Sequence, residues 1–184
     1  MQSSPKRRAV FLDRDGVINH SDVIDGKPYP PANLTTMKIL PGVSEALEAL
    51  SNAGFLLIVI TNQPDVARGI TSRETVLAIH DHLSTCLPIN EFNTCFHIDE
   101  DNCTCRKPSP GALIASAERH HIDLEKSYMV GDRWRDVEAG QNAGCKTIFI
   151  DYGYAEKQPL NMNFRVKTLK EAANIILGEQ YATS

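Results

Sequence analysis

Residues 10 to 19 read Val-Phe-Leu-Asp13-Arg-Asp15-Gly-Val-Ile-Asn, a buried apolar strand that runs straight into two aspartates one residue apart. In an open α/β sheet ligands sit beyond the carboxyl ends of the strands, so Asp13 and Asp15 would project into that crevice. The pair suits phosphoryl transfer. Asp13 can attack phosphorus to give an acyl phosphate, while Asp15 can protonate the leaving alkoxide and later activate water. Taken alone, Asp-x-Asp-Gly is equally at home in a tight turn or a Ca²⁺ loop.

Three further segments add chemically useful residues, two of them at the ends of apolar runs. The run from Phe55 to Ile60 ends at Thr61-Asn62-Gln63, bringing a hydroxyl and backbone N–H groups that can hold phosphoryl oxygens. Arg106-Lys107-Pro108 puts two cations before a helix that Pro108 and Pro110 help to start, and a lysine there can neutralise nucleophile and phosphate together. Ser127 to Gly131 is another strand that ends in an acid, Asp132, with Asp136 about one helical turn beyond. This adds a carboxylate of the kind a hard cation such as Mg²⁺ requires.

A second cluster lies between these segments. Cys95-Phe-His97, five residues, then Cys103-Thr-Cys105 gives four soft ligands on two short arms of one loop. Cys₃His is a common tetrahedral zinc set, and four protein ligands would close the coordination sphere, so the Zn²⁺ would be structural and would stiffen the loop that delivers Arg106 and Lys107. A disulfide pair or free thiols are the alternatives. Five cysteines is an odd number, which argues against a fully paired disulfide framework. Cys86 and Cys145, outside the cluster, are expected to be buried small apolar residues in a reducing cytoplasm.

The alternation of elements is that of a parallel sheet with crossover helices: a Rossmann-like α/β fold flanked by helices, with a zinc-binding loop at 95–105. Strands are expected near residues 8–13, 55–61, 92–96, 127–131 and 146–150. A helical pattern begins at Pro41 and stops at Gly54, and further helices fit 72–86, 109–120, 134–143 and 168–177, the last packing over an edge. Residues 20–40 show no clear periodicity and read as a loop over the active site. The chain of 184 residues, 42% hydrophobic, fits one domain, 1–184, with no room for a large cap domain. The charged N-terminus is followed by an apolar stretch that Asp13 breaks at once, so neither a signal peptide nor a membrane span is expected.

Together, Leu-Asp13-Arg14-Asp15-Gly, Thr61-Asn62-Gln63 with Ala67-Arg68-Gly69, Cys105-Arg106-Lys107-Pro108 and Met129-Val-Gly131-Asp132 resemble the motifs of the haloacid dehalogenase-like phosphatases over residues 8–155. Within them the likeness is to the D-glycero-D-manno-heptose 1,7-bisphosphate phosphatases and the related histidinol phosphatases. The resemblance implies Asp13 as nucleophile and Mg²⁺ ligand, Asp15 as acid/base and backbone Mg²⁺ ligand, Thr61 and Lys107 on the phosphoryl group, and Asp132 on Mg²⁺. Asn19, Asn62, Gln63, Arg68, Arg106 and Arg133 are expected to meet the substrate.

The implied reaction is removal of the 7-phosphate of a heptose 1,7-bisphosphate, with the arginines offering the second cationic site that a bisphosphate needs. The runner-up is histidinol phosphate, whose ammonium would ask for Asp22, Asp25 or Asp65. The zinc loop is short, as in the histidinol phosphatases, and Pro64-Asp65 stands where many relatives have Ser-Gly. A polynucleotide 3′-phosphatase is disfavoured by a net charge of −4 and the lack of a basic, aromatic-rich stretch. A silent phosphometabolite-binding module is disfavoured by the presence of both Asp13 and Asp15. The chain is expected to act as a cytoplasmic monomer on a small phosphorylated metabolite.

Overall fold

The computed structural model describes residues 5–182. In chain order the elements are β1 (Ala9–Leu12), a hairpin of β2 (Asp22–Ile24) and β3 (Lys27–Tyr29), α1 (Val43–Asn52), β4 (Leu56–Asn62), α2 (Arg73–Cys86), β5 (Glu91–Cys95), α3 (Gly111–His120), β6 (Tyr128–Gly131), α4 (Trp134–Ala143), β7 (Lys146–Ile150), β8 (Phe164–Val166) and α5 (Leu169–Ala182). Six strands form one parallel sheet in the order β5-β4-β1-β6-β7-β8.

Successive side chains of a strand point to opposite faces, and here both faces are covered by helices. Val10, Leu12, Leu57, Val59, Val130 and Ile148 pack against Leu47 and Leu50 of α1, Ile79 and Leu83 of α2, and Ala172 and Ile176 of α5. Ala9, Phe11, Ile58, Ile60 and Met129 pack against Leu113 and Ala117 of α3 and Ala139 of α4. Burial on both sides is the reason these strands read as unbroken apolar runs. Starting at β1 the chain builds outward through β4 and β5, then returns to the other side of β1 to lay down β6, β7 and β8. The reversal opens a crevice at the carboxyl end of β1.

Two expectations need correction, and one short strand was not expected. Residues 20–40 are not all loop: β2 and β3 pair antiparallel through a two-residue turn at Asp25-Gly26, both at positive φ (50° and 72°). Asp-Gly is the residue pair such a turn selects, but three-residue arms, one holding Pro28, are too short to show alternation. The C-terminal helix packs over the β6-β7-β8 side of the sheet, edge strand included. Through Ala172, Ala173 and Ile176 it packs beside α1 in the main core, and the edge is taken by the short strand β8, which sequence periodicity did not reveal. Cys145 is buried as expected, whereas Cys86, the last residue of α2, is exposed.

Candidate active site

Asp13 follows the last residue of β1, and its N–H bonds to the carbonyl of Val130 on the neighbouring β6 (2.9 Å), which ties the two acid-bearing strand ends together. The Asp13 Oδ1 accepts from the backbone N–H of Arg14 (2.8 Å) and from Lys107 Nζ (2.8 Å). Lys107 is almost fully buried and spends its other donors on the Ile60 carbonyl (2.6 Å) and on Asp136 Oδ1 (2.7 Å). Three acceptors satisfy three donors, and these partners raise the lysine's affinity for its proton against the effect of burial.

Asp132 lies just past β6. Its Oδ2 accepts from the Tyr154 hydroxyl (2.9 Å), while Oδ1 is buried without a partner. Two glycines make this packing possible. A Cβ at Gly16 would fall 1.9 Å from Asp132 Oδ2, and one at Gly131 would fall 2.0 Å from Asp136 Cβ. The glycine after Asp15 and the glycine before Asp132 are thus spaces for carboxylates.

Oxygens of Asp13, Asp132 and Asp136 lie within 4.8 Å of one another. Three buried carboxylates against one lysine leave the cluster short of positive charge. Burial, helped by Asp136 and Asp15, pushes Asp13 up to about 7 although Lys107 pulls the other way. Burial, Asp13 and Asp136 likewise hold Asp132 well above the ordinary carboxylate range. A hard divalent cation with oxygen ligands fits this deficit. Asp136 is committed elsewhere: Oδ1 receives Lys107 and Oδ2 receives the backbone N–H of Arg133 (3.0 Å) at the start of α4. The orphaned Oδ1 of Asp132, beside Asp13, is therefore where a cation could be held.

Asp15 lines the cleft with its carboxylate fixed from behind. Arg14 donates to both oxygens, Asn19 Nδ2 to Oδ1 (2.9 Å) and Gln63 Nε2 to Oδ2 (2.7 Å). Several of the residues expected at the substrate have their side chains engaged within the protein. Asn19 is fully buried and lies outside the cleft lining, with its amide nitrogen serving Asp15 and the His20 carbonyl. Thr61 is buried beneath the cleft lining, where its hydroxyl accepts from Gln63 (2.9 Å). Asn62 lines the cleft but clamps the Lys107 backbone, accepting from its N–H and donating to its C=O (3.1 Å each).

Arg68, Arg106 and Arg133 do line the cleft, each held by an acid: Asp65 (3.1 Å), Asp99 (2.7 Å) and Glu156 (2.5 Å). Arg135, which the sequence did not single out, joins them and bonds Asp99 and the Lys107 carbonyl. Lys27, from the hairpin, adds a further cation to the rim. Arg14, His80 and Tyr154 were also missed. Arg14 had a signal in its place between two acids; Tyr154 had none, because it is brought to Asp132 by the loop after β7.

The Cys95, His97, Cys103 and Cys105 ligand atoms converge. Cys105 Sγ is 3.2 Å from Cys95 Sγ, 3.5 Å from Cys103 Sγ and 3.4 Å from His97 Nδ1. Such separations are far beyond a disulfide bond and close to the edges of a tetrahedron around a metal with arms of about 2.3 Å. A short helical turn at Asp99–Asp101 reverses the chain between the two arms and puts Asp99 between Arg106 and Arg135. The cysteine–histidine loop and the cationic rim are therefore one connected structure.

Residues 104–172 match the HAD-hydrolase-like family model. The D-glycero-beta-D-manno-heptose-1,7-bisphosphate 7-phosphatase of Rhodopseudomonas palustris is 37% identical over 154 residues, covering 77% of this chain and 82% of the relative. The enzyme of the same name from Helicobacter pylori strain 26695 is 33% identical over 175 residues, 92% of this chain and 97% of its own length. Among solved structures, the D,D-heptose 1,7-bisphosphate phosphatase of B. bronchiseptica, complexed with magnesium and phosphate, superposes with a TM-score of 0.81 at 30% identity, covering 94% of this chain and 99% of that one. With its motifs at the strand ends and relatives matched along most of their length, the chain belongs to the heptose bisphosphate phosphatase family of the haloacid dehalogenase-like hydrolases.

Proposed function

We propose that this phosphatase removes the 7-phosphate of a heptose 1,7-bisphosphate through an aspartyl-phosphate intermediate on Asp13. The observation that carries the reading is the convergence of Asp13, Lys107 and the half-unsatisfied Asp132 at the floor of a cation-rimmed cleft. Arg14 N–H and Lys107 both engage Oδ1 of Asp13, which leaves Oδ2 for attack on phosphorus. As that O–P bond forms, the ester P–O bond breaks and its electron pair leaves on the sugar oxygen, which takes a proton from Asp15. Asp15 then removes a proton from water, the resulting hydroxide attacks phosphorus, and the Asp13–phosphorus bond breaks to free phosphate. Lys107 keeps a fixed positive charge against the nucleophile throughout.

Asp13, Asp132 and the backbone carbonyl of Asp15 would hold Mg²⁺, which supplies charge neutralisation for the phosphoryl oxygens and the attacking carboxylate. Cys95, His97, Cys103 and Cys105 would hold a structural Zn²⁺ that fixes the loop carrying Asp99, Arg106 and Lys107. Arg106 and Arg133 are assigned to the phosphate that is not cleaved, each exchanging its acid partner for phosphate oxygens. The free thiols suit a reducing cytoplasm. No helix among the described residues is long and apolar enough to cross a membrane. A monomer acting on a small metabolite, without nucleic acid, completes the reading.

Histidinol phosphate is the competing substrate. Of the acids its ammonium could use, Asp65 lines the cleft but is paired with Arg68, while Asp22 and Asp25 are not among the lining residues. The test is phosphate release with Mg²⁺ from heptose 1,7-bisphosphate, sugar monophosphates and histidinol phosphate. The bisphosphate should give the highest kcat/KM; preference for histidinol phosphate would overturn the substrate assignment.

A further inference from the structure

We infer that His80, buried on α2, is a positioning residue for Asp15 that acts through Arg14. The inference rests on the reading of Asp15 as proton donor to the leaving group. Arg14 carries its guanidinium into the protein with a side-chain exposure of 1%. A buried cation needs acceptors for its donors, and here the acceptors divide into two sets. Nε donates to Asp15 Oδ1 (3.1 Å) and Nη2 to both Asp15 oxygens (3.0 Å each). On the other side of the group, Nη1 lies 3.0 Å from His80 Nε2.

A guanidinium has no acceptor and stays charged, so the imidazole must accept at Nε2 and carry its own proton on Nδ1. Burial, reinforced by the adjacent Arg14 charge, holds His80 down at about 3, which keeps that lone pair available. The ring cannot drift. It stacks on Phe92 of β5 with centroids 4.5 Å apart and planes 16° off parallel, and its neighbours Ile79 and Leu83 anchor α2 in the core. His80 is thus a rigid acceptor behind Arg14 that sets the plane of the guanidinium, and that plane sets the Asp15 carboxylate. Asn19 and Gln63 complete the cradle from the flanks.

Proton donation by Asp15 matters in proportion to how badly the leaving group needs it. An alkoxide cannot depart without the proton, whereas a nitrophenolate can. Activation of water by Asp15 is common to all substrates, so the selectivity belongs to the first half-reaction: loss of the His80 acceptor should slow leaving-group release from sugar phosphates and spare it from aryl phosphates, a pattern that general loosening of the core would not produce.

The test uses the Mg²⁺-loaded enzyme with heptose 1,7-bisphosphate and p-nitrophenyl phosphate, and takes Asp15→Asn as reference. His80→Phe keeps a ring on Phe92 but removes the acceptor, and His80→Gln restores an acceptor. With His80→Phe, the single-turnover rate of leaving-group release from the bisphosphate should fall roughly ten- to a hundredfold, while release from the aryl phosphate slows less than about threefold. His80→Gln should recover most of the loss. Arg14→Lys, which keeps the charge but loses the fork, should copy His80→Phe and serves if the phenylalanine variant does not fold. Equal losses on both substrates, or none, alongside a selective Asp15→Asn, would overturn the inference alone. An Asp15→Asn enzyme equally slowed in single-turnover leaving-group release from both substrates would remove the proton-donor reading itself, and the inference with it.

Discussion

At the scale of single residues the site is a set of oxygens with assigned partners, and the unassigned ones mark where chemistry is expected. Asp13 offers Oδ2 and Asp132 offers Oδ1; the remaining carboxylate oxygens of the buried cluster are engaged by Lys107, Tyr154 or backbone N–H groups. Asp13→Asn puts an amide where a nucleophile is needed. The variant should fold, as judged by circular dichroism, and lose roughly 10⁴-fold or more in kcat; near-native turnover would contradict covalent catalysis. Tyr154→Phe is subtler. Removing the hydroxyl leaves Asp132 free to rotate, and a lost orienting partner typically costs about ten- to a hundredfold in metal affinity. Calorimetric titration with Mg²⁺ should show that weakening, whereas an unchanged affinity would separate Tyr154 from the metal site.

At the scale of elements, β6 and the cysteine loop each convert a local packing demand into a placed charge. The end of β6 approaches α4 so closely that Gly131 has no room for a methyl group against Asp136. Gly131→Ala should displace Asp136 and with it Lys107, costing about 1–3 kcal/mol of stability by overpacking and a larger share of activity. A thermal melt and an assay on the same sample would check both. The cysteine loop carries Asp99, which bonds Arg106 and Arg135 across to α4. Elemental analysis of protein purified without chelator should give about one zinc per chain. Cys103→Ser should lower both the zinc content and the melting temperature, and zinc-free protein that melts unchanged would dispose of the structural-metal reading.

For the whole molecule the question is how an α/β fold with no large cap among the described residues sorts substrates. The hairpin β2–β3, the cysteine loop and the first turn of α4 reach the same cleft from three parts of the chain. All the rim arginines are paired with acids, so binding a second phosphate is an exchange of partners. Arg106→Ala or Arg133→Ala should therefore lower kcat/KM for the bisphosphate about ten- to a hundredfold, the worth of a charge-assisted hydrogen bond, and leave monophosphates nearly untouched. An equal drop on both would move the arginines to the transferring phosphoryl group.

Much of this protein was legible in its sequence because the fold class and the reacting groups obey local rules. Buried parallel strands must be apolar throughout and must end where the chain turns to solvent, so Asp13, Thr61 and Asp132 announce themselves as the residues that stop such runs. Cysteine and histidine two positions apart on two arms announce a tetrahedral set in the same way. What the sequence could not carry is which polar atom meets which. Asn19 stands beside the motif yet faces inward, while Tyr154, 22 residues beyond Asp132, and His80, 66 residues beyond Arg14, make the decisive contacts. Hydrogen-bond partners across a sheet depend on strand order and helix docking, and both are settled by burial of the whole core, so only the tertiary structure decided which expected site residues are engaged within the protein and which buried groups bond the Asp13, Asp15 and Asp132 carboxylates or their partners.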